Sequence, residues 1–224
     1  MTARRRPRTP APDAARELAL RRDGARLVAG VDEVGKGSWA GPLVVGAVVL
    51  RDEVLTAEEP AAAIADVRDS KRVAERRRET IYDEVVAGCL AHATGAASAA
   101  ECDALGMTAA QRLAAGRAMS ALAGMLGCGV DAAVVDGRWD FVSPHASRVE
   151  TLVRADATCV SVAAASIIAK VTRDRAMRAL ARELPHWAFE SSKGYPCPRH
   201  REGLRVHGAS REHRTTWAFM SRVG

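Results

Sequence analysis

Paired cysteines, aromatic residues and long apolar runs are scarce or absent in this chain. Its five cysteines, Cys89, Cys102, Cys128, Cys159 and Cys197, are odd in number and form no CxxC pair. That argues against a disulfide frame and a zinc site and fits reduced thiols in the cytoplasm. No stretch approaches the ~20 apolar residues that cross a bilayer, so no membrane partner is expected. No signal-peptide pattern is visible either. The motifs GxxxxGK[ST], HExxH and GxSxG are missing. P-loop nucleotide hydrolysis and acyl transfer by a serine elbow therefore lack support. A phosphatase with an aspartyl nucleophile would need Asp-x-Asp, which is also missing.

Hydrophobic residues make up 48% of the 224 positions, many of them alanine. One domain of ordinary size with a real core is expected. Charge is unevenly placed. Residues 1–22 carry seven arginines against two acids. Residues 23–169 carry 14 basic and 20 acidic side chains, and residues 170–224 carry 12 and five. An acidic body between two basic segments suits a polyanion held over an acidic, metal-binding site.

Local patterns place the acids. Residues 27–32 and 43–50 are apolar and β-branched, and read as a hairpin of a central sheet. Between them lies Gly30-Val-Asp32-Glu33-Val-Gly35-Lys36-Gly37-Ser-Trp-Ala-Gly-Pro42. Two adjacent carboxylates beside a glycine-rich turn suit a divalent metal next to a phosphate or sugar read by backbone. Adjacent side chains on a strand point to opposite faces. Asp32 and Glu33 therefore meet at one metal only if the strand ends or bulges there, and Asp32 is the better ligand. Residues 132–136 form a third apolar strand ending in Asp136 and Gly137, and 149–153 another before Asp156. Strand 92–97 and helices over 13–22, 73–86, 108–126 and 161–184 complete the expected elements. Ser70 could cap the second helix. In the tail, Lys193-Gly194-Tyr195-Pro196 precedes His200 and His213-Arg214. Tyr195 either stacks on a sugar or base or packs the tail onto the core.

Together these blocks resemble ribonuclease HII, from about Leu27 to the C-terminus. The quoted segments are Gly-Val-Asp-Glu-Val-Gly-Lys-Gly, Asp69-Ser70-Lys71, Asp136, Asp156, the run from Ala163 to Asp174, and Lys193-Gly194-Tyr195. The resemblance implies an α/β fold: a ribonuclease H-like mixed sheet flanked by helices, with a helical C-terminal segment from about residue 185. It implies catalytic and metal-ligating roles for Asp32, Glu33, Asp136 and Asp156, with Mg²⁺ or Mn²⁺ as cofactor. It places Gly35, Lys36, Gly37, Ser70, Lys71 and Tyr195 against substrate, and the 163–174 helix behind the site without chemistry. The implied partners are RNA–DNA hybrids and ribonucleotide-containing duplex DNA, cut to 5′-phosphate and 3′-hydroxyl ends by a monomer. Lys36 stands where arginine is usual and Arg154 where lysine is usual, and both retain charge. The related ribonuclease HIII normally carries a larger N-terminal domain, and only about 26 residues precede Leu27 here. A non-catalytic hybrid-binding protein is the other alternative. Residues 1–22 are expected to be a disordered basic tail, and 23–224 the catalytic domain.

Overall fold

Leu43–Leu50, eight consecutive buried residues, is the inner strand β2 of a sheet covered on both faces. A computed structural model of the chain describes residues 11–57, 75–218 and 220. Strand β1 (Val28–Val34) pairs antiparallel with β2, as the hairpin reading requires. β2 pairs antiparallel with β3 (Cys89–Ala97). On the other side, β1 runs parallel to β4 (Val130–Asp136), and β4 parallel to β5 (Ala146–Leu152). Among the described residues the order is β3-β2-β1-β4-β5, a mixed five-stranded sheet.

Two long helices supply the cover. Helix α4 (Ala99–Leu126) packs its alanines and Leu122 against one face of the sheet. It starts nine residues before the expected 108. Ser98 and Glu101 form a reciprocal capping box at its start. At Gly106 (φ 75°) the helix kinks, so the expected start coincided with its second segment. Helix α5 (Val160–Glu183) covers the opposite face, with α3 (Glu75–Gly88) against it. Its small residues let it lie on the sheet. A Cβ at Gly30 would stand 2.2 Å from the Ser161 backbone carbon, and one at Gly46 would stand 2.5 Å from the Ala165 oxygen. Glycine at both positions is therefore what permits the close helix–sheet contact.

The expected basic tail divides. Residues 1–10 lie outside the described residues. Residues 15–22 form helix α1 (Ala15–Arg22), as expected for 13–22, and are not a loose tail. Leu20 is buried with Val28, Ala132 and Val162. The buried Glu17 carboxylate accepts the N–H (2.9 Å) and hydroxyl of Ser161 in the first turn of α5. An acid there also opposes the positive end of that helix. A short helix α2 (Asp52–Leu55) follows β2. After α5 come α6 (Phe189–Ser192) and α7 (Pro198–His207), so the C-terminal segment is helical as expected. No helix among the described residues is long and apolar enough to cross a membrane.

Candidate active site

The acids gather where two parallel strands separate. The β1–β4 ladder ends at the pair Val31↔Val135. The next residues along are Asp32 and Asp136. The β1–β2 ladder continues through Glu33↔Val45 to Val34↔Val44 without a shift. Strand β1 therefore neither ends nor bulges at Asp32; instead its β4-facing edge is freed. Asp32 shares the α5 face with its partner Gly46, yet Asp32 and Glu33 both reach the opening beside that edge. Asp136 enters from the end of β4, where its Oδ1 accepts the Ala155 N–H at 2.8 Å. That bond ties the turn Ala155–Ala157 to β4 and brings the half-buried Asp156 alongside. All four acids line one cavity of about 560 Å³, with Val34, Arg78, Ser166, Lys170 and Tyr195.

Charge in this cavity is strained. Asp32 is 8% exposed. Burial, then the charges of Glu33 and Asp136, hold its carboxyl well above the usual carboxylate range. Hydrogen bonds from Ser166 and from the Glu33 N–H (2.7 Å) oppose that shift. Burial also raises Glu33, against the pull of Lys36 at 3.7 Å. Glu33 Oε2 is buried with no hydrogen-bond partner among the described residues. Repelling carboxylates, one with an orphaned oxygen, fit a hard divalent cation, which prefers such oxygens. Among the described residues no three potential ligands are gathered into a ready cage. Four carboxylates share the cavity without a closed coordination shell.

This electrostatic arrangement sets a pH dependence. An acid with a raised pKa in the folded state takes up protons on folding, so its ionisation opposes folding. The metal-free protein therefore loses stability as pH rises from the ordinary carboxylate range through the raised Asp32 value. We expect metal-free Asp32→Asn to melt higher than the wild type at pH 7, with the difference vanishing at pH 4. Thermal melts in chelator at both pH values check this, and a lower melting temperature at pH 7 contradicts the reading.

Two cations share the cavity with the acids. Asp174, buried on α5, pairs with Arg78 at 2.9 Å and Lys170 at 2.5 Å. That fixes both cations at the cavity wall. The helix expected to lie behind the site thus contributes Ser166 and Lys170 to its lining. The i, i+4 spacing of Lys170 and Asp174 was a readable signal. Arg78 could not be found that way, because its partner lies 96 residues away. On the other flank, Lys36 lies 5.8 Å from the Trp139 ring and Arg112 lies 5.4 Å from it.

The glycine loop is clamped from behind. Arg173 is fully buried, and burial pushes it down to about 10. Its guanidinium donates to Pro42 O (2.8 Å), Lys193 O (2.7 Å), Ser38 Oγ (2.8 Å) and Ala40 O (3.0 Å). Arg214, also buried, donates to Lys36 O and Gly41 O. The loop carrying Gly35, Lys36 and Gly37 is thereby joined to the Lys193–Tyr195 segment. Tyr195 lines the cavity 36% exposed, its ring 5.4 Å from the Arg173 guanidinium. Ser70 and Lys71 lie outside the described residues.

This fold and this carboxylate cavity define a ribonuclease H-type enzyme. The chain belongs to the ribonuclease HII family, whose model matches residues 29–220. It is 41% identical over 198 residues to ribonuclease HII of Streptomyces avermitilis, covering 88% of this chain and 79% of that one. It is 41% identical to ribonuclease HII of Chloroflexus aurantiacus, covering 92% and 93%. The crystal structure of ribonuclease H2 from Pyrococcus horikoshii superposes with a TM-score of 0.68 at 25% identity, covering 88% and 96%.

Proposed function

We propose that the chain is an endonuclease that hydrolyses the RNA strand of RNA–DNA hybrids and cuts at single ribonucleotides embedded in duplex DNA. The observation that carries this reading is the convergence of Asp32, Glu33, Asp136 and Asp156 on one cavity that Tyr195 also lines. These four residues would hold divalent cations, Mg²⁺ or Mn²⁺. Bound there, they would supply activation of a water and stabilisation of the leaving oxygen, chemistry that leaves 5′-phosphate and 3′-hydroxyl ends.

The chain's own residues do the rest. Asp32, held by Ser166, is the central ligand. Glu33 keeps one oxygen near Lys36 and presents the other. The Ala155 N–H orients Asp136. Arg78 and Lys170, fixed by Asp174 and lining the same cavity, attract the substrate's phosphates. Only the 2′-hydroxyl distinguishes RNA from DNA at one nucleotide. Backbone groups of Gly35, Lys36 and Gly37 bond that hydroxyl and its phosphate, while the Tyr195 ring packs on the neighbouring sugar. Ser70 and Lys71 are proposed to touch the substrate, and the enzyme to act as a monomer in the cytoplasm.

Tyr195→Ala tests the specificity half of this reading. Misplacing a reacting group by about 1 Å costs roughly a hundredfold in rate. We expect cleavage at an isolated ribonucleotide to fall by that order, with a smaller loss on long hybrids and an unchanged melting temperature. A collapse in melting temperature with normal activity per folded molecule would show that Tyr195 only packs.

A further inference from the structure

Two buried histidines stand behind Tyr195, outside the cavity. His200 is 0% exposed and His213 is 3% exposed. Their Nε2 atoms are 3.0 Å apart. Two imidazole nitrogens at that distance share one hydrogen, so one donates and the other accepts. The remaining contacts decide which. The Ser210 backbone N–H, which can only donate, points at His213 Nδ1 from 2.9 Å. His213 Nδ1 is therefore bare, and in the neutral ring the proton sits on Nε2. His213 Nε2–H then donates to His200 Nε2. That leaves the His200 proton on Nδ1, which donates to the Tyr195 carbonyl at 2.9 Å. Burial pushes both rings down, His213 to about 4, so both are neutral at pH 7.

The same segment grips the glycine loop. His213 forms a β-bridge with Ala40, the Gly41 N–H donates to Glu212 O, and the Arg214 N–H donates to Trp39 O. The Trp39 N–H in turn donates to Gly194 O.

We infer that the His200 Nδ1–H bond to Tyr195 O, whose donor tautomer Ser210 and His213 set, fixes the position of Tyr195 relative to the Gly35–Gly37 loop, making His200 a positioning residue for ribonucleotide selection. This rests on the role proposed above for Tyr195. Neither histidine reaches the cavity. His213 sets the tautomer of His200, and His200 fixes the backbone from which the Tyr195 ring projects.

Two amide substitutions separate the two bonds of His200. In His200→Asn the side-chain amide overlays Cγ–Nδ1, keeping the donor to Tyr195 O and losing the bond to His213. In His200→Gln the amide overlays the Nε2 side, keeping an acceptor for His213 and losing the donor to Tyr195. Backbone amide exchange over residues 194–200 reads the tether without any substrate. Cleavage of a duplex carrying one ribonucleotide reads its consequence. We expect His200→Gln to exchange about tenfold faster there, the effect of one lost hydrogen bond. Its cleavage at the isolated ribonucleotide falls about tenfold or more, as in Tyr195→Ala. His200→Asn lowers the melting temperature yet keeps both slow exchange and cleavage within about threefold of wild type. Wild-type exchange in His200→Gln, or equal losses in the two variants that follow their melting temperatures, overturns the positioning role of His200. Fast exchange with unchanged cleavage also overturns it, and if Tyr195→Ala cleaves normally too, the role proposed for Tyr195 falls with it.

Discussion

Asp136→Asn is expected to abolish hydrolysis of an RNA–DNA hybrid while leaving the fold and hybrid binding in place. Residues that merely orient metal ligands typically cost 10–100-fold in activity or metal affinity when changed. A direct ligand costs more, so a loss beyond about a hundredfold is expected. The fold survives because Asp136 lies just past the last β1–β4 pair, and Asn can still accept the Ala155 N–H that Oδ1 accepts now. The same loss is expected for Asp32→Asn and Asp156→Asn. Glu33→Gln is expected to lose less, if Glu33 contributes by its backbone carbonyl or through water, and because Lys36 already shares its charge. Steady-state cleavage and filter binding of each variant check this. Turnover of Asp136→Asn within threefold of wild type would remove Asp136 from the site, and equal losses at Glu33 and Asp32 would overturn the ranking.

Arg173→Met is expected to be the most damaging single change outside the cavity. It strips a buried guanidinium from three carbonyls and the Ser38 hydroxyl. Breaking a buried charge network of this kind costs about 3–5 kcal/mol. At roughly 2–4 °C per kcal/mol for a chain of this size, the melting temperature falls by about 10 °C. Activity falls further than the folded fraction does, because Arg173 ties Lys193 beside Tyr195 to the loop carrying Gly35–Gly37. Arg173→Lys does not restore either property, since an ammonium cannot reproduce the fork of donors. Thermal melts, and cleavage measured well below the melt, check both halves. An unchanged melting temperature in Arg173→Met would show that the clamp holds nothing.

Much of this was legible in the sequence. The hairpin, the strand ending in Asp136 and the Ala-rich helix follow from apolar period and strand-end chemistry. The acids stood out because carboxylates beside glycines or at strand ends have few packing reasons to be there. What escaped was long-range. Arg173 reads as one more arginine on a basic helix until the fold brings Ala40, Pro42 and Lys193 around it. The meeting of Asp32 and Glu33 was wrongly tied to a bulge or strand end, because strand alternation says nothing about where a neighbouring strand stops. The early start of α4 was readable in Ser98-x-x-Glu101, but Gly106 obscured it.

Metal-dependent hydrolysis at a ribonucleotide is the activity proposed for the acids around the parting of β1 and β4. The direct measurement is to incubate wild type with a DNA duplex carrying one ribonucleotide, in Mg²⁺, in Mn²⁺ and in chelator, and to map the product ends. The account predicts one cut at the ribonucleotide in either metal, leaving 5′-phosphate and 3′-hydroxyl, and none in chelator. Cutting that persists in chelator, or ends of the opposite polarity, would contradict it.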